Sequence, residues 1–460
     1  VTDLREGYRV RRTLFLLAFL PALTALAQAP TPPAPAGPTP PPPLPQAEID
    51  ALVEKLASDD PHVRETALRQ LETAGPRAIA GLRKSLNHPD PEVRRVLVDL
   101  VPNLETTALL APRRVTLKLD GKSVKDALDE VGRQTGYKVQ VWGPNIQNAG
   151  LNFRLDDVPF WEAIDEISRQ GGLALQMGYG DETVRLNAQE VQHPYVSRQG
   201  PFRVVANGMS QNRTIDLTVR PGQSDDPTRS TSLNLNLTLF AEPKLPIVAH
   251  GEPRLTHAFD TDRNAMLPVG NPEPEEAQLR GFAGRVARTS VNRYSQRMYS
   301  VGVSTGLVRP SERASAIKLL KGYVPVTVLV EQKAVEITKE LDKANNLKAQ
   351  VDTHTFTVQE VKEQPGGQWQ VKMIVTQDTG ENDYSWTNSL YQRIEVYGAS
   401  GEKLQNYGSS WGNNGPNLVN MTLTFRNPAG KADKPQRLVF QSWTMLHTLA
   451  PFEFKDVPLP

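Results

Sequence analysis

Gly302-Val303-Ser304-Thr305-Gly306 matches the spacing of a nucleophile elbow, in which a serine is held on a sharp turn between a strand and a helix. Asp352 or Asp378 and His354 or His447 follow in the order such a catalytic set would need. No strand-turn-helix pattern surrounds Ser304, so the segment is expected to be a Gly/Ser loop. Asp260-Thr261-Asp262-Arg263-Asn264 opens like a calcium loop. Such a loop needs Gly at its sixth position and Glu at its twelfth, where this chain has Ala265 and Asn271. A surface turn is the expectation. A second oxygen-rich loop holds Asp378, Glu381 and Asp383 with Asn382 and Asn388 nearby, and a calcium role for it stays open. The 7 histidines contain no pair at helical spacing, so no zinc site is expected. No cofactor motif is read.

Two groups of residues could bind rather than react. Arg280, Arg285, Arg288, Arg293 and Arg297 follow one another without an intervening acid, among Phe282, Tyr294 and Tyr299. Arginine with aromatics suits a polyanion such as envelope polysaccharide or lipid headgroups. Trp386 and Trp411 are the candidate stacking residues for carbohydrate. The doubled acids Asp129-Glu130 and Asp165-Glu166 could serve acid–base chemistry. Asp129 and Asp165 stand four residues before Arg133 and Arg169, so both read as exposed helix ion pairs.

The elements that must position these groups differ along the chain. Asp60-Pro61-His62-Val63-Arg64 recurs as Asp90-Pro91-Glu92-Val93-Arg94. Asp is a good N-cap and Pro a good first helical residue. Apolar residues at helical spacing follow each copy, helices open at Glu48 and Pro76, and this unit is expected to dock on the next one. A second repeat lies at 115–187. Val115–Asp120 matches Leu151–Asp156, and Ala127–Val131 matches Ala163–Ile167. Each copy predicts strand, helix, strand, with Gly136 or Gly172 ending the helix. From Val196 on, the chain reads β. Ser232–Phe240 alternates strictly, and Tyr323–Val330, Thr353–Val361, Trp369–Thr376, Asn420–Phe425 and Arg437–Thr444 are further strands. Glu331–Asn345 fits a helix or a strand plus loop.

The D-P-x-V-R pair over 47–102 resembles HEAT repeats. The doubled unit over 113–187 is similar to the short N-terminal modules of secretins and TonB-dependent transducers. In the latter families such modules pack into rings or contact partner proteins, so that resemblance implies fold and a general interaction role, with no site residues. The membrane barrel of a secretin has no counterpart here.

Arg9, Arg11 and Arg12, the apolar run Leu14–Leu26 and Ala25-Leu26-Ala27 form the three parts of a signal peptide. Export to the periplasm or medium after cleavage near Ala27 is therefore expected, with an uncleaved anchor as the alternative and the only expected membrane contact. Ten of the 38 prolines fall in the next tract, a semi-rigid tether. The chain holds no cysteine, and 52 basic against 51 acidic residues leave a net charge of +1. Disulfides and thiolate chemistry are excluded, and nucleic acid is not an expected partner.

The expected order is signal peptide 1–27, linker 28–46, HEAT-like helices 47–112 and the duplicated βαβ module 113–190. A β-rich domain 191–330 with an irregular arm 269–315 and a C-terminal β-sandwich-like domain 331–460 follow. The fold class is multidomain α+β, a short α-solenoid and βαβ module followed by two antiparallel sandwiches. The expected function is a non-catalytic exported scaffold binding other envelope proteins. A carbohydrate- or polyanion-binding module is the alternative, and a serine hydrolase on Ser304 is the third reading.

Overall fold

The computed structural model describes residues 42–142, 150–176, 183–188, 193–216, 228–267, 292–309, 313–378, 386–415 and 417–460. It is a mixed α/β structure of mostly antiparallel sheets. Residues before 42, and with them the segment expected to be a signal peptide and most of the expected linker, lie outside the described part.

Helices α1 (Gln46–Leu56), α2 (Pro61–Ala74), α3 (Pro76–Lys84) and α4 (Pro91–Leu110) come first. The repeated motif works twice in the same way. Asp60 accepts from the His62 N–H at 2.9 Å, and Asp90 from the Glu92 N–H at 2.7 Å. Arg64 and Arg94 each reach back to two carbonyls of the preceding turn, Ser58 and Asp59 in one copy, His88 and Pro89 in the other. Ile49, Leu71, Leu82, Leu97 and their neighbours form a core that ends at Leu104. The expected docking is therefore slight: the helices pack on one another, and Leu110 at the end of α4 reaches the β core beyond.

Next come β1 (Arg114–Lys122), α5 (Val124–Thr135), β2 (Lys138–Trp142), β3 (Leu151–Pro159), α6 (Phe160–Gly171), β4 (Leu173–Leu175) and β5 (Thr183–Ala188). Ser123 and Asp126 close a capping box on α5, and Gly136 ends it at φ 77°. The two strand–helix–strand copies do not pair within themselves. Instead β1 pairs with β3 antiparallel, and β5 stands between β2, to which it is parallel, and β4, to which it is antiparallel. Both sheets and both helices share one core, with Phe160 and Trp161 at its centre.

The β region starts with β6 (Val196–Gln199), β7 (Phe202–Asp216), β8 (Thr228–Ala241), β9 (Ile247–His250) and β10 (Arg254–Asp260). β11 (Asn292–Met298) and β12 (Ser300–Leu307) follow inside the stretch expected to be an irregular arm, where Val301, Val303 and Leu307 of β12 reach the core through pairing with β8. Then comes the long β13 (Ala316–Thr338). So Glu331–Thr338 is strand. The second part holds β14 (Leu347–Val351), β15 (His354–Gln364), β16 (Gln368–Gln377), α7 (Thr387–Arg393), β17 (Ile394–Gly398), β18 (Gln405–Gly415), β19 (Leu418–Arg426) and β20 (Pro435–Pro458). The sheet β12-β8-β7-β6 faces β9, β10, β13 and β20 across one core. The sheet β14-β15-β16-β19-β18 closes a second core with β17 and the other halves of β13 and β20.

A cut at residue 331 therefore divides the chain but not the fold. β13 and β20 pair from Ala316 opposite Pro458 to Thr338 opposite Leu438, through both cores. Even-numbered residues of β20 line both, Ala450, Phe452 and Phe454 in one and Leu438 and Phe440 in the other. β13 switches from Val324, Val326 and Val328 to Val335 and Ile337. The irregularity between Leu329 and Glu331 supplies the extra residue that this switch needs.

Candidate functional site

Asp129 and Asp165 occupy matching positions in the repeat and have different fates. Asp129 is exposed and takes Lys125 at 2.6 Å. Arg133 turns instead to Glu130, and Arg169 to Glu166, each at 2.5 Å. Asp165 is left to bind across the module boundary. It receives Arg203 of β7 at 2.7 Å and Arg198 of β6 at 2.5 Å. Arg203 is 4% exposed and lies 5.3 Å from the centre of the Phe240 ring. Two cations on one carboxylate hold the second β–α–β copy against the β region.

A groove of about 750 Å³ opens over this floor. Glu162, Glu166 and Arg169 form its α6 wall, β4 contributes Leu173–Leu175, and Val196 and His193 stand opposite. Partial desolvation, then the charge of Arg203, lowers the pKa of the exposed His193 imidazole below its usual value. The Arg169 guanidinium beside Glu166 holds that carboxyl below its ordinary range. The groove thus offers apolar strand edges between charged groups that are already paired. That arrangement suits an extended polypeptide better than bond-breaking chemistry.

Glu242 fastens the same junction from beneath, with no exposed surface. Its carboxylate accepts the Arg113 N–H at 3.1 Å and the Tyr137 hydroxyl at 2.8 Å, with Lys244 at 4.0 Å. Burial raises its pKa, which these partners only partly offset. Trp161 donates its indole N–H to the Pro201 carbonyl at 3.0 Å and packs 5.9 Å from Phe240. Val205, Phe240 and Tyr299 thereby belong to the core of the preceding module. Neither Glu242 nor the Asp165–Arg203 pair was visible as a site in the sequence. Arg203 lies 38 residues from Asp165, and Tyr137 and Arg113 lie 105 and 129 residues from Glu242.

The sequence candidates fall elsewhere. Ser304 sits mid-strand in β12, exposed and opposite Asn236 of β8, on no strand–helix corner. A second match to its motif, Gly408–Gly412, is also strand. His447 is on β20, its Nδ1 2.8 Å from the Thr327 hydroxyl. His354 is 5% exposed, packed against Phe356, Trp386 and Phe440. Asp260 accepts three donors at 2.8 Å, the N–H groups of Asp262 and Asn264 and the Asn264 side-chain amide. Burial opposes its ionisation, but those donors outweigh it and hold its pKa low. The segment is thus a turn closed by its own first carboxylate.

Arg297 bonds Gln332 at 3.0 Å. Arg280, Arg285, Arg288 and the Arg293 side chain lie outside the described residues, as do Glu381 and Asp383. Trp386, at 7% exposure, is core, whereas Trp411 is 46% exposed and 5.8 Å from Tyr391. The two tryptophans therefore do not form one open stacking surface. Among the described residues no group of three or more His, Asp or Glu is placed to hold a metal. No described helix is long and apolar enough to cross a membrane.

These features define a β-rich protein of several joined cores with an inter-module groove. Comparison with family models, curated proteins and solved structures finds no match to this chain.

Proposed function

We propose that this is a non-catalytic exported scaffold of the bacterial cell envelope, which binds another protein in the groove between α6 and β6. The observation that carries the reading is the groove itself, about 750 Å³ and walled by strand edges over an ion-paired floor. Extended peptides bind such edges through main-chain hydrogen bonds. The four-helix unit and the doubled strand–helix–strand unit support the resemblance to HEAT repeats and to secretin and TonB short modules. In secretins and TonB-dependent transducers such modules pack into rings or contact partner proteins. We read the two β cores as sandwiches that share the β13–β20 ribbon. The signal segment and the absence of cysteine favour export.

Photo-crosslinkers at Glu162 and Pro194, both exposed, test the proposal in envelope extracts, with exposed Lys362 as the control. A single adduct of defined mass from the groove positions alone is expected. Identical adducts from Lys362, or none from the groove, would overturn the reading. Ester turnover lost in Ser304→Ala would establish the hydrolase instead.

A further inference from the structure

We infer that β18 is a self-pairing edge through which two copies of this chain join. β18 ends the five-stranded sheet and pairs only with β19 among the described strands. It spans Gln405–Gly415, and Tyr407 through Gly412 are all exposed. Its 11 residues, QNYGSSWGNNG, contain no charge and no proline. Natural sheets protect open edges with lysine, proline or short length. The opposite end of the same sheet does so: β14 has 5 residues and carries Lys348. β6 is 4 residues long and carries Arg198. β12 is uncharged too, but exposes only Gly302, Ser304 and Gly306 and no aromatic. β18 exposes Tyr407 at 54% and Trp411 at 46%.

The charge pattern selects a second copy as the occupant. In a two-fold antiparallel pair each strand meets itself, so any charge would face its like in some register, which is destabilising. β18 has none to oppose. A foreign strand would be chosen by charges at alternate positions, and β18 offers none for that choice. Register irregularities at Asn406/Gly408 and Asn413/Gly415 confine the regular stretch to the residues between them. Pairing there would make one ten-stranded sheet from two five-stranded ones and cover the Trp411 ring beside its partner strand.

The absence of cysteine makes the test clean. Sedimentation velocity of the chain from Gln28 onward should show a concentration-dependent dimer, and the double variant Ser410→Lys/Gly412→Lys should be at least tenfold more dissociated. Circular dichroism melts of that variant check that it folds. Opposed residues in antiparallel strands have Cα atoms about 4.5–5.5 Å apart, within disulfide reach. Ser409→Cys and Ser410→Cys, oxidised separately, should therefore give a crosslinked dimer from at least one position, and Lys348→Cys none. A monomeric wild type, a dimer unaffected by the two lysines, or crosslinking from Lys348→Cys but not from β18 would overturn the inference.

Discussion

Glu242 and His354 are both polar side chains in apolar surroundings, and they respond to pH in opposite senses. Glu242 holds two hydrogen-bond donors from outside its own sheet. Glu242→Ala leaves the Arg113 N–H and the half-buried Tyr137 hydroxyl without this acceptor. A loss of about 2–4 kcal/mol in urea unfolding is expected, with Glu242→Gln milder. The folded pKa of Glu242 lies above its unfolded value. Its contribution to stability is thus present at low pH and lost as pH rises through that folded pKa.

His354 has no hydrogen-bond partner at either ring nitrogen, and burial, aided by Arg393, pushes its pKa down to about 4. The unfolded imidazole titrates at about 6.5. The unfolded state therefore binds more protons between those values, and stability falls as pH drops from about 6.5 toward 4. The loss should be on the order of 3 kcal/mol. Urea midpoints at pH 7 and pH 4.5 check this. His354→Leu should lose that part of the pH dependence, and an unchanged dependence would refute the assignment.

At the scale of elements, caps and register carry the argument. Asp60 and Asp90 each satisfy N–H groups that a helix start leaves open. Asp90→Ala should cost about 1 kcal/mol, read as an earlier loss of helical signal on heating. Val330 is the extra residue that keeps the apolar side chains of β13 on the face that β20 presents to both cores. Deleting Val330 should turn Val335 and Ile337 away from the second core. Loss of a cooperative transition from the C-terminal half is expected, and retained cooperativity would show that the register slips without cost.

Over the whole molecule, the cores divide unequally. The helical core is self-contained, whereas the strand–helix–strand core borrows Val205, Phe240 and Tyr299 from the β region. Deletion of residues 1–110 should leave a folded, monodisperse remainder. Extending the deletion to residue 190 would bare Val205 and Phe240, and aggregation with strong dye binding is expected. Size-exclusion chromatography of the two truncations distinguishes one shared core from a string of independent beads.

Local signals were legible in the sequence because they act over a few residues. The Asp-Pro starts at 60 and 90, the Gly136 and Gly172 stops, and the alternation of Leu233–Leu239 are set by hydrogen bonds and periods within one element. The candidate site was not legible, because its members come from distant parts of the chain. Nothing in Asp165 itself separates it from Asp129. Only the tertiary structure brings Arg198 and Arg203 to one and leaves the other on the surface with Lys125. Pairing was likewise beyond the pattern: alternation marks a strand but not its neighbour, so the partnership of β1 with β3 and the two-core β13–β20 ribbon had to await the fold. The sequence by itself determined the helix starts and stops and the strands with strict alternation. It read Ser304 as loop and left Glu331–Thr338 undecided, because strands Ser300–Leu307 and Ala316–Thr338 are set by their partners across the sheet. Long-range packing decided which apolar faces meet, and so where the groove and the open edge lie.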